Sequence, residues 1–339
     1  MLLLPHIRVQ NANAISSPMT WGFPAITAFT GLMTALERRL GPDAGISLLG
    51  VGVVCHHFEA QVTSGGYTKA FHLTRNPVQQ DGSTAAIVEE GRVHLEVSLV
   101  FDVRLNDAQR GDAERQALAE RIGHELAGMR LAGGSVMPPL PAAQRKPARQ
   151  AHRPLLALVP DDNQPDEQRE QFRRLARRLM PGFALVSRDD LLQQRLAELR
   201  AADAQASTLD AWLDLSRWTS RAVAAAAPAD GPEVPAAAEW VTDPRPGWIV
   251  PIPVGFAALS PLYPPGTISG ARDATTPFRF VETVWSIGQW ISPHRLQRLG
   301  DLIWQAGHDT GPASDPEHPS EHGLYRCFMD TPAALATPI

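Results

Sequence analysis

The sequence RVHLEVSLVF, residues 92–101, shows the clearest secondary-structure pattern in this chain. From Val93 to Phe101, every second residue is apolar. The positions between them on one side are polar: Arg92, His94, Glu96 and Ser98. Such alternation is typical of a β-strand, because successive side chains point to opposite faces of a sheet. The stretch therefore predicts a strand with one buried face and one face open to water.

Residues 3–10 repeat this pattern near the start of the chain. The apolar side carries Leu3, Ile7 and Val9, and the polar side carries His6, Arg8 and Gln10. This alternation predicts a second half-buried strand. If the two strands are neighbours at the centre of a sheet, their polar faces form one surface.

Apolar residues at helical spacing predict an amphipathic helix after the first strand. They are Phe29, Leu32, Met33, Leu36 and Leu40, with Thr27 as a possible N-cap and Gly41-Pro42 as the stop. A second helix is predicted by Leu118, Ile122, Leu126 and Met129. It leads into a glycine-bearing loop at residues 130–135.

A long Val- and Phe-rich strand is predicted over residues 46–62, and residues 67–73 form a hairpin with it across Ser64-Gly65-Gly66. The order of strand, helix, strands, helix and glycine-rich loop indicates an α+β fold of the ferredoxin-like or RRM-like kind. Later segments add helices near residues 189–200 and 208–218, followed by an irregular C-terminal part.

The composition along the chain predicts five segments. They are an RRM-like domain at 1–137, a linker at 138–154, a helical segment at 155–221, a flexible Ala/Pro-rich linker at 222–239 and an aromatic, proline-rich part at 240–330.

With 339 residues, 44% hydrophobic and 20% charged, the chain can bury a sizeable core. Its net charge of −5 argues against a non-specific polyanion binder. Only Lys69 and Lys146 among the 31 basic residues are lysines, which leaves 29 arginines. An anion site would therefore use the planar guanidinium fork. We expect a cytoplasmic protein, because no stretch reads as a membrane span or secretion signal.

Known catalytic motifs are missing from the sequence: GxxxxGK[ST], GxGxxG, HExxH and GxSxG. The two cysteines, Cys55 and Cys327, lie too far apart for a paired metal motif. His56-His57 could form an acid–base pair, but adjacent strand residues point to opposite faces. Cys55 would be a nucleophile only with a base on its own face, which His57 could provide, and we expect a buried inert thiol instead. We therefore expect no catalytic residues, no metal and no cofactor.

Several weaker signals point to single-stranded RNA. Residues 10–24 are dense in amides and hydroxyls that can read base edges, and Trp21 and Phe23 could either stack on bases or anchor the loop. The polar strand faces could bind RNA or simply face solvent. An arginine-rich helix near residues 169–179 could lie along a phosphate backbone or be an ordinary solvated face.

Longer runs of the sequence resemble a known family. They are residues 10–24 (QNANAISSPMTWGFP), 50–62 (GVGVVCHHFEAQV), 73–100 (LTRNPVQQDGSTAAIVEEGRVHLEVSLV), 129–135 (MRLAGGS), 181–188 (PGFALVSR), 247–263 (GWIVPIPVGFAALSPLY) and 272–295. Nearly the whole chain is similar, in order, to the Csy-two family of Cas-five-like RAMP subunits from type I-F CRISPR surveillance complexes. The linkers and the C-terminal tail depart most from the family.

The resemblance implies a non-catalytic subunit with a modified RRM-like (RAMP) fold that holds the 5′ handle of the CRISPR RNA. Its implied partners are the large Csy-one subunit as a heterodimer, the adjacent Csy-three backbone subunit through a thumb at residues 75–92, and target DNA near the flanking motif. The family's glycine-rich loop corresponds to residues 131–135.

Combining the residues with the resemblance, we expect these RNA-binding positions: His6, Arg8, Gln10, Asn11, Asn13, Ser16, Trp21, Arg75, Asn76, Arg92, His94, Arg130, Gly133, Gly134 and Ser135. Two alternatives stay open. One is a RAMP-type endoribonuclease that uses His56, His57 or His94, and the other is a structural subunit with no RNA contact.

Overall fold

The computed structural model describes residues 1–66, 68–75, 78–79, 81–84, 87–106, 111–139, 153–160, 163–224, 238–308 and 323–329. The first strands are β1 (Leu2–Asn13), β2 (Ile15–Ser17), β3 (Thr20–Trp21), β4 (Ile46–Ala60), β5 (Val62–Gly65), β6 (Thr68–Phe71), β7 (Leu73–Arg75), β8 (Ile87–Glu89), β9 (Arg92–Leu105), β10 (Arg130–Leu131) and β11 (Gly134–Val136). The later strands are β12 (Leu155–Leu156), β13 (Phe183–Ser187), β14 (Ser220–Ala224), β15 (Ala238–Thr242), β16 (Ile249–Ala258), β17 (Val281–Ile291), β18 (Gln305–His308) and β19 (Leu324–Phe328).

The α-helices are α1 (Ile26–Leu40), α2 (Asp112–Leu126), α3 (Pro165–Arg178), α4 (Asp189–Ala202) and α5 (Thr208–Ser216). Short 3-10 turns follow at Pro42–Ala44, Pro293–Arg295 and Leu299–Leu302. None of these described helices is long and apolar enough to span a membrane.

The two alternating strands predicted from the sequence are direct neighbours. β1 and β9 run antiparallel, with Val9 opposite Leu95 and Arg8 opposite Glu96. β4 pairs with the other edge of β9, and β11 pairs with the other edge of β1. The prediction that the polar sides of β1 and β9 adjoin is therefore confirmed.

One large antiparallel sheet joins the beginning and end of the chain. Its order is β10-β11-β1-β9-β4-β13-β17-β16-β19-β18, with β12 also paired to β1. Val51 in β4 exchanges two backbone hydrogen bonds with Trp304, just before β18. The sheet therefore curls until its far edge returns to its middle, and the predicted α+β class is confirmed.

Helices α1 and α2 form where the apolar spacing predicted them. Leu32 and Leu36 of α1 and Ile122 of α2 are buried in the main core, and both helices pack against the sheet. The expected cap is wrong, because Ala25 precedes α1 and no side chain caps its first turn. Thr27 already lies inside the helix.

The C-terminal part is more regular than expected. β16 and β17 pair along most of their length and extend the main sheet. β16 contains Pro251 and Pro253, although proline cannot donate a ladder hydrogen bond. On the side of β16 that faces away from β17, these two prolines have no partner among the described strands, because β19 pairs only with residues 255–257. The expectation of an irregular C-terminal part is therefore wrong for these two strands.

A smaller core lies where α4 and α5 pack on β16 and β17. It contains Leu192, Leu196, Ala211, Trp212, Ile249 and Ile287. Beyond α5, the ends of the predicted flexible linker form a separate two-stranded sheet of β14 and β15, and residues 225–237 lie outside the described residues.

Candidate nucleic-acid interface

The glycine-rich loop between β10 and β11 lies against the end of β1. Ala132 and Gly133 adopt left-handed backbone conformations, with φ of 49° and 74°, and the Ala132 carbonyl accepts a 2.8 Å hydrogen bond from the Asn13 amide. A Cβ on Gly134 would lie 2.6 Å from the Ala12 nitrogen and 2.7 Å from the Gln10 carbonyl oxygen. Only glycine permits this approach of two backbones.

Exposed polar side chains gather at the edge that this loop creates. They are Gln10, Asn11, Asn13, Arg130 and Ser135, which we call the handle site. Gln10 and Ser135 are direct cross-strand partners, as are Arg130 and Ser135. The predicted strand face and the predicted glycine-rich loop thus meet in one place.

Arg92 and His94 support the handle site from β9. The backbone N–H of Asn11 donates to Nδ1 of His94 at 3.1 Å, and Nη1 of Arg92 donates to the backbone carbonyl of Asn11 at 3.4 Å. Asn11 has a φ of 56°, a conformation that asparagine tolerates better than most residues. Arg92 is also ion-paired with Glu90 at 2.7 Å. Both residues are half-buried and hold the strand ends in shape.

The remainder of the predicted solvent-facing strip is covered. Ser98 is fully buried and Glu96 is 9% exposed, so the expectation of an open face is wrong at these positions. Nδ1 of His6 lies 2.6 Å from Glu96, and Nε2 of His56 lies 2.7 Å from the Ser98 hydroxyl. The carbonyl of Pro181 lies 2.6 Å from Nδ1 of His56. The segment leading into β13 therefore closes this part of the sheet.

His6 belongs to this covered cluster. Its ring stacks on that of His56 with centroids 4.2 Å apart, and its backbone amide donates to Ser98 at 3.1 Å. It lies outside the handle site as defined above.

Arg8 is half-buried at the edge of β1 between β12 and β11. Its Nη2 donates to the Pro138 carbonyl at 3.0 Å. It lines a cavity of about 280 Å³ together with His124 and Arg153. Arg8 therefore already has a protein partner, whereas the exposed Gln10 side chain has no hydrogen bond to any described residue.

The loop after β1 contains one anchored aromatic residue and one exposed aromatic residue. Phe23 stacks on Phe29 at 5.6 Å and meets the edge of Trp290 at 4.8 Å, so it anchors the loop. Trp21 is 42% exposed and leans on Phe71 of β6 at 5.9 Å. Of the two roles considered for these rings, Phe23 takes that of an anchor, whereas base stacking stays a prediction for Trp21.

Hydroxyl groups stiffen the same loop. The Ser16 side chain lies 2.8 Å from the Thr20 hydroxyl, and Ser17 accepts a 2.9 Å hydrogen bond from Nε1 of Trp285. Sequence reasoning missed Lys69, whose ammonium lies 6.0 Å from the centre of the Trp21 ring. The only feature of the sequence that singles out Lys69 is that it is one of two lysines. Its place beside Trp21 could not be predicted, because it depends on how the hairpin packs.

The predicted thumb is a hairpin at its base. β7 pairs with β8, with Arg75 opposite Ile87. At its tip, the Gln79 amide donates to the Ser83 carbonyl, and Gly82 takes a φ of 79°. Asn76 lies outside the described residues. The segment therefore leaves and re-enters the body of the protein at adjacent points.

Cys55 lies on β4 beside the two histidines. Burial raises the pKa of its thiol to about 12, and its Sγ donates to the His57 carbonyl at 3.4 Å. The thiol is thus protonated at neutral pH, and only the thiolate is a strong nucleophile. No cluster of three or more metal-ligating side chains occurs among the described residues.

Comparison with known proteins agrees with the resemblance seen in the sequence. Residues 2–327 match the family model described as CRISPR-associated protein (Cas_Csy2). A relative from Pseudomonas aeruginosa (strain UCBPP-PA14), named CRISPR-associated protein Csy2, is 50% identical over 328 residues, covering 96% of this chain and 94% of the relative. Because both matches span almost the whole chain, it belongs to the Csy2 family of CRISPR-associated proteins.

Proposed function

We propose that this chain is the non-catalytic subunit of a type I-F CRISPR surveillance complex that holds the 5′ handle of the CRISPR RNA. Family membership supports its place in a Csy complex. Binding of the RNA handle is supported by the handle site itself. There, exposed amide side chains and an arginine surround the point where Gly134 lets β11 approach β1 closely.

The chemistry of the handle site suits a single RNA strand of constant sequence. The amides of Gln10 and Asn11 can pair with exposed base edges, and the Arg130 guanidinium can bind a phosphate. Trp21 offers an exposed ring on the adjoining loop for base stacking. In such complexes the variable part of the guide recognises the target by base pairing. Sequence-specific contacts from a protein are therefore most useful on the constant part of the guide, the handle.

The topology also supports a RAMP or RRM-like assignment. The strand order β11-β1-β9-β4, with α1 following β1 and α2 following β9, fits a β-α-β-β-α-β ferredoxin-like arrangement. RNA binding in that class uses the sheet and its connecting loops. The handle site lies at this part of the sheet.

In this proposal the chain pairs with the large Csy-one subunit and meets the Csy-three backbone through the thumb. It performs no cleavage, because a subunit that cut its own guide would destroy the complex. The protonated Cys55 thiol and the covered His56 ring support this view. Incubating the purified complex with a repeat RNA under single-turnover conditions tests it, and cleavage lost in His57→Ala or His94→Ala would favour the endoribonuclease alternative.

The handle site is tested with the double variant Gln10→Ala/Arg130→Ala in the heterodimer with the large subunit. We expect handle RNA affinity to fall by about 1–3 kcal/mol, the range measured for bidentate base contacts in DNA complexes. A matched control is Arg38→Ala/Gln193→Ala, which removes the same residue types from exposed positions on α1 and α4.

Equal handle affinity in the double variant and the control would refute the handle site. Crosslinking adds a second readout. RNA crosslinks that map to the large subunit alone would favour the structural alternative without RNA contact.

A further inference from the structure

Helix α3 presents an arginine-rich surface that the handle site does not use. Phe172, Leu175 and Ala176 are buried against the main core. The exposed arginines of the helix are Arg169, Arg173, Arg174 and Arg177. The last eight residues of α3, 171–178, contain four arginines and no carboxylate. Positive charge is therefore concentrated in the second half of the helix.

Ion pairs neutralise only part of this surface. Arg169 lies 3.6 Å from Asp166, and Arg174 lies 2.5 Å from Glu170. Arg173 and Arg177 form no ion pair with any residue in the described part of the chain. Both are therefore available to an external anion.

A second segment adds charge beside the helix. The turn Pro293–Arg295 packs against α3, although more than a hundred residues separate them in sequence. Arg295 is exposed there and likewise has no ion pair among the described residues. We call Arg173, Arg177 and Arg295 the arginine face. The chain's net charge of −5 does not oppose it, because screening limits electrostatic attraction to about 8 Å at physiological salt.

The arginine face is suited to phosphates and not to bases. No aromatic ring is exposed on α3, since Phe172 is buried, so single-strand binding by base stacking has no platform there. The helix sets Arg173 and Arg177 one turn apart, about 6 Å along its axis. Arginine binds phosphate through paired N–H donors. Arginines spaced along one helix fit a duplex, whose phosphates are exposed while its bases are stacked inside.

We propose that the arginine face binds the phosphate backbone of double-stranded DNA in the assembled complex. This inference rests on the proposed function, because a guide complex brings a DNA duplex to its subunits. The contact is independent of DNA sequence and separate from the handle site, so the two surfaces bind different nucleic acids.

The test uses the complex reconstituted with CRISPR RNA and the triple variant Arg173→Gln/Arg177→Gln/Arg295→Gln. Each phosphate contact adds about 0.9 to the slope of log affinity against log salt. Three lost contacts should lower that slope by about 2.7. Between 50 and 200 mM salt, the unmodified complex should then lose about 40-fold more duplex affinity than the variant. Arg38→Gln/Arg121→Gln, exposed on α1 and α2, is the control.

Native mass spectrometry and handle RNA binding are measured on the same samples. Retained subunits and RNA, together with a reduced salt slope, support the proposal. An unchanged slope overturns it, as does loss of a protein subunit from the variant, because that would make the arginine face a protein contact. If RNA were missing from the unmodified complex, the proposed function would fail, and the slope for duplex binding would still decide the inference.

Discussion

At the scale of single residues, glycine decides how closely β1 and β11 approach. A Cβ on a residue at 134 would lie 2.6 to 2.8 Å from backbone atoms of Gln10 and Ala12. Backbone in a paired strand cannot move without breaking its ladder. The local shape of the handle site therefore depends on Gly134.

We expect Gly134→Ala to destabilise the protein by about 1–3 kcal/mol, the usual cost of overpacking. Handle affinity should fall as well, because displaced β11 carries Ser135 away from Gln10. Thermal unfolding and RNA binding of the purified heterodimer measure both effects. Gly31→Ala is the control, since a Cβ there would meet nothing within 4 Å on the exposed face of α1. It should be neutral or raise stability by about 0.4–1 kcal/mol, and equal stability of the two variants would contradict the argument.

At the scale of secondary-structure elements, the thumb at residues 75–92 starts from a pair of hydrogen-bonded strands. β7 and β8 hold its two ends together, so its tip can change without disturbing the main sheet. The sequence indicated a projecting loop from Asn76-Pro77 and Asp81-Gly82. The pairing at its base is what the structure adds.

Deleting residues 79–85 should leave the folded core intact and weaken assembly with the adjacent backbone subunit. Four residues would remain between Arg75 and Ile87, enough for a hairpin connection. Native mass spectrometry of the co-expressed subunits measures assembly, and circular dichroism checks the fold. A second variant replaces residues 79–85 with a Gly-Ser stretch of equal length. It shows whether assembly depends on the length of the thumb or on the side chains at its tip. Normal assembly of both variants would exclude a clasping role.

At the scale of the whole molecule, the aromatic residues divide into two groups. Trp304 is fully buried and donates to the Leu185 carbonyl at 2.8 Å, and Trp285 packs beside Trp212, so part of the C-terminal aromatic set fills internal cores. Trp218 and Trp240 are more than 70% exposed. Aromatic residues that are concentrated between prolines after residue 240 favour an interface with the large subunit, but Trp285 and Trp304 are now seen to fill internal cores. We therefore expect only exposed rings to contribute to such an interface.

The exposed tryptophans lie on or beside the two-stranded sheet of β14 and β15. Every residue of β15 is exposed, and a lone two-stranded sheet is only marginally stable in water. Trp218 is covered on one side by Arg245, 4.9 Å from the ring centre. These features are typical of a surface that a partner protein completes.

We expect the chain expressed alone to aggregate and co-expression with the large subunit to yield a soluble heterodimer. Trp218→Ser/Trp240→Ser should increase the solubility of the lone chain and weaken the heterodimer by about 2 kcal/mol or more, as for interface hot spots. Size-exclusion chromatography of the lone chain measures the first effect, and dissociation of the co-expressed heterodimer on dilution measures the second. Leu262→Ser, an exposed apolar residue elsewhere, is the control. A stable lone monomer whose melting temperature is unaffected by the partner would contradict this prediction.

The sequence by itself determined the local elements and the family. Alternation over residues 92–101 and helical spacing from Phe29 to Leu40 depend on near neighbours, so β9 and α1 could be predicted from short windows. Of the handle site, Gln10, Asn11 and Asn13 were predicted from their residue types and the glycine-rich loop from its composition.

Only the tertiary structure decided what covers each face and what joins each edge. Glu96 and Ser98 carry the same local pattern as Arg92 and His94, yet His6 covers Glu96 and His56 covers Ser98. The bond between Val51 and Trp304 joins residues about 250 positions apart. Such contacts depend on the packing of the whole chain, because a residue's pattern specifies its side of a strand but not its partner across space.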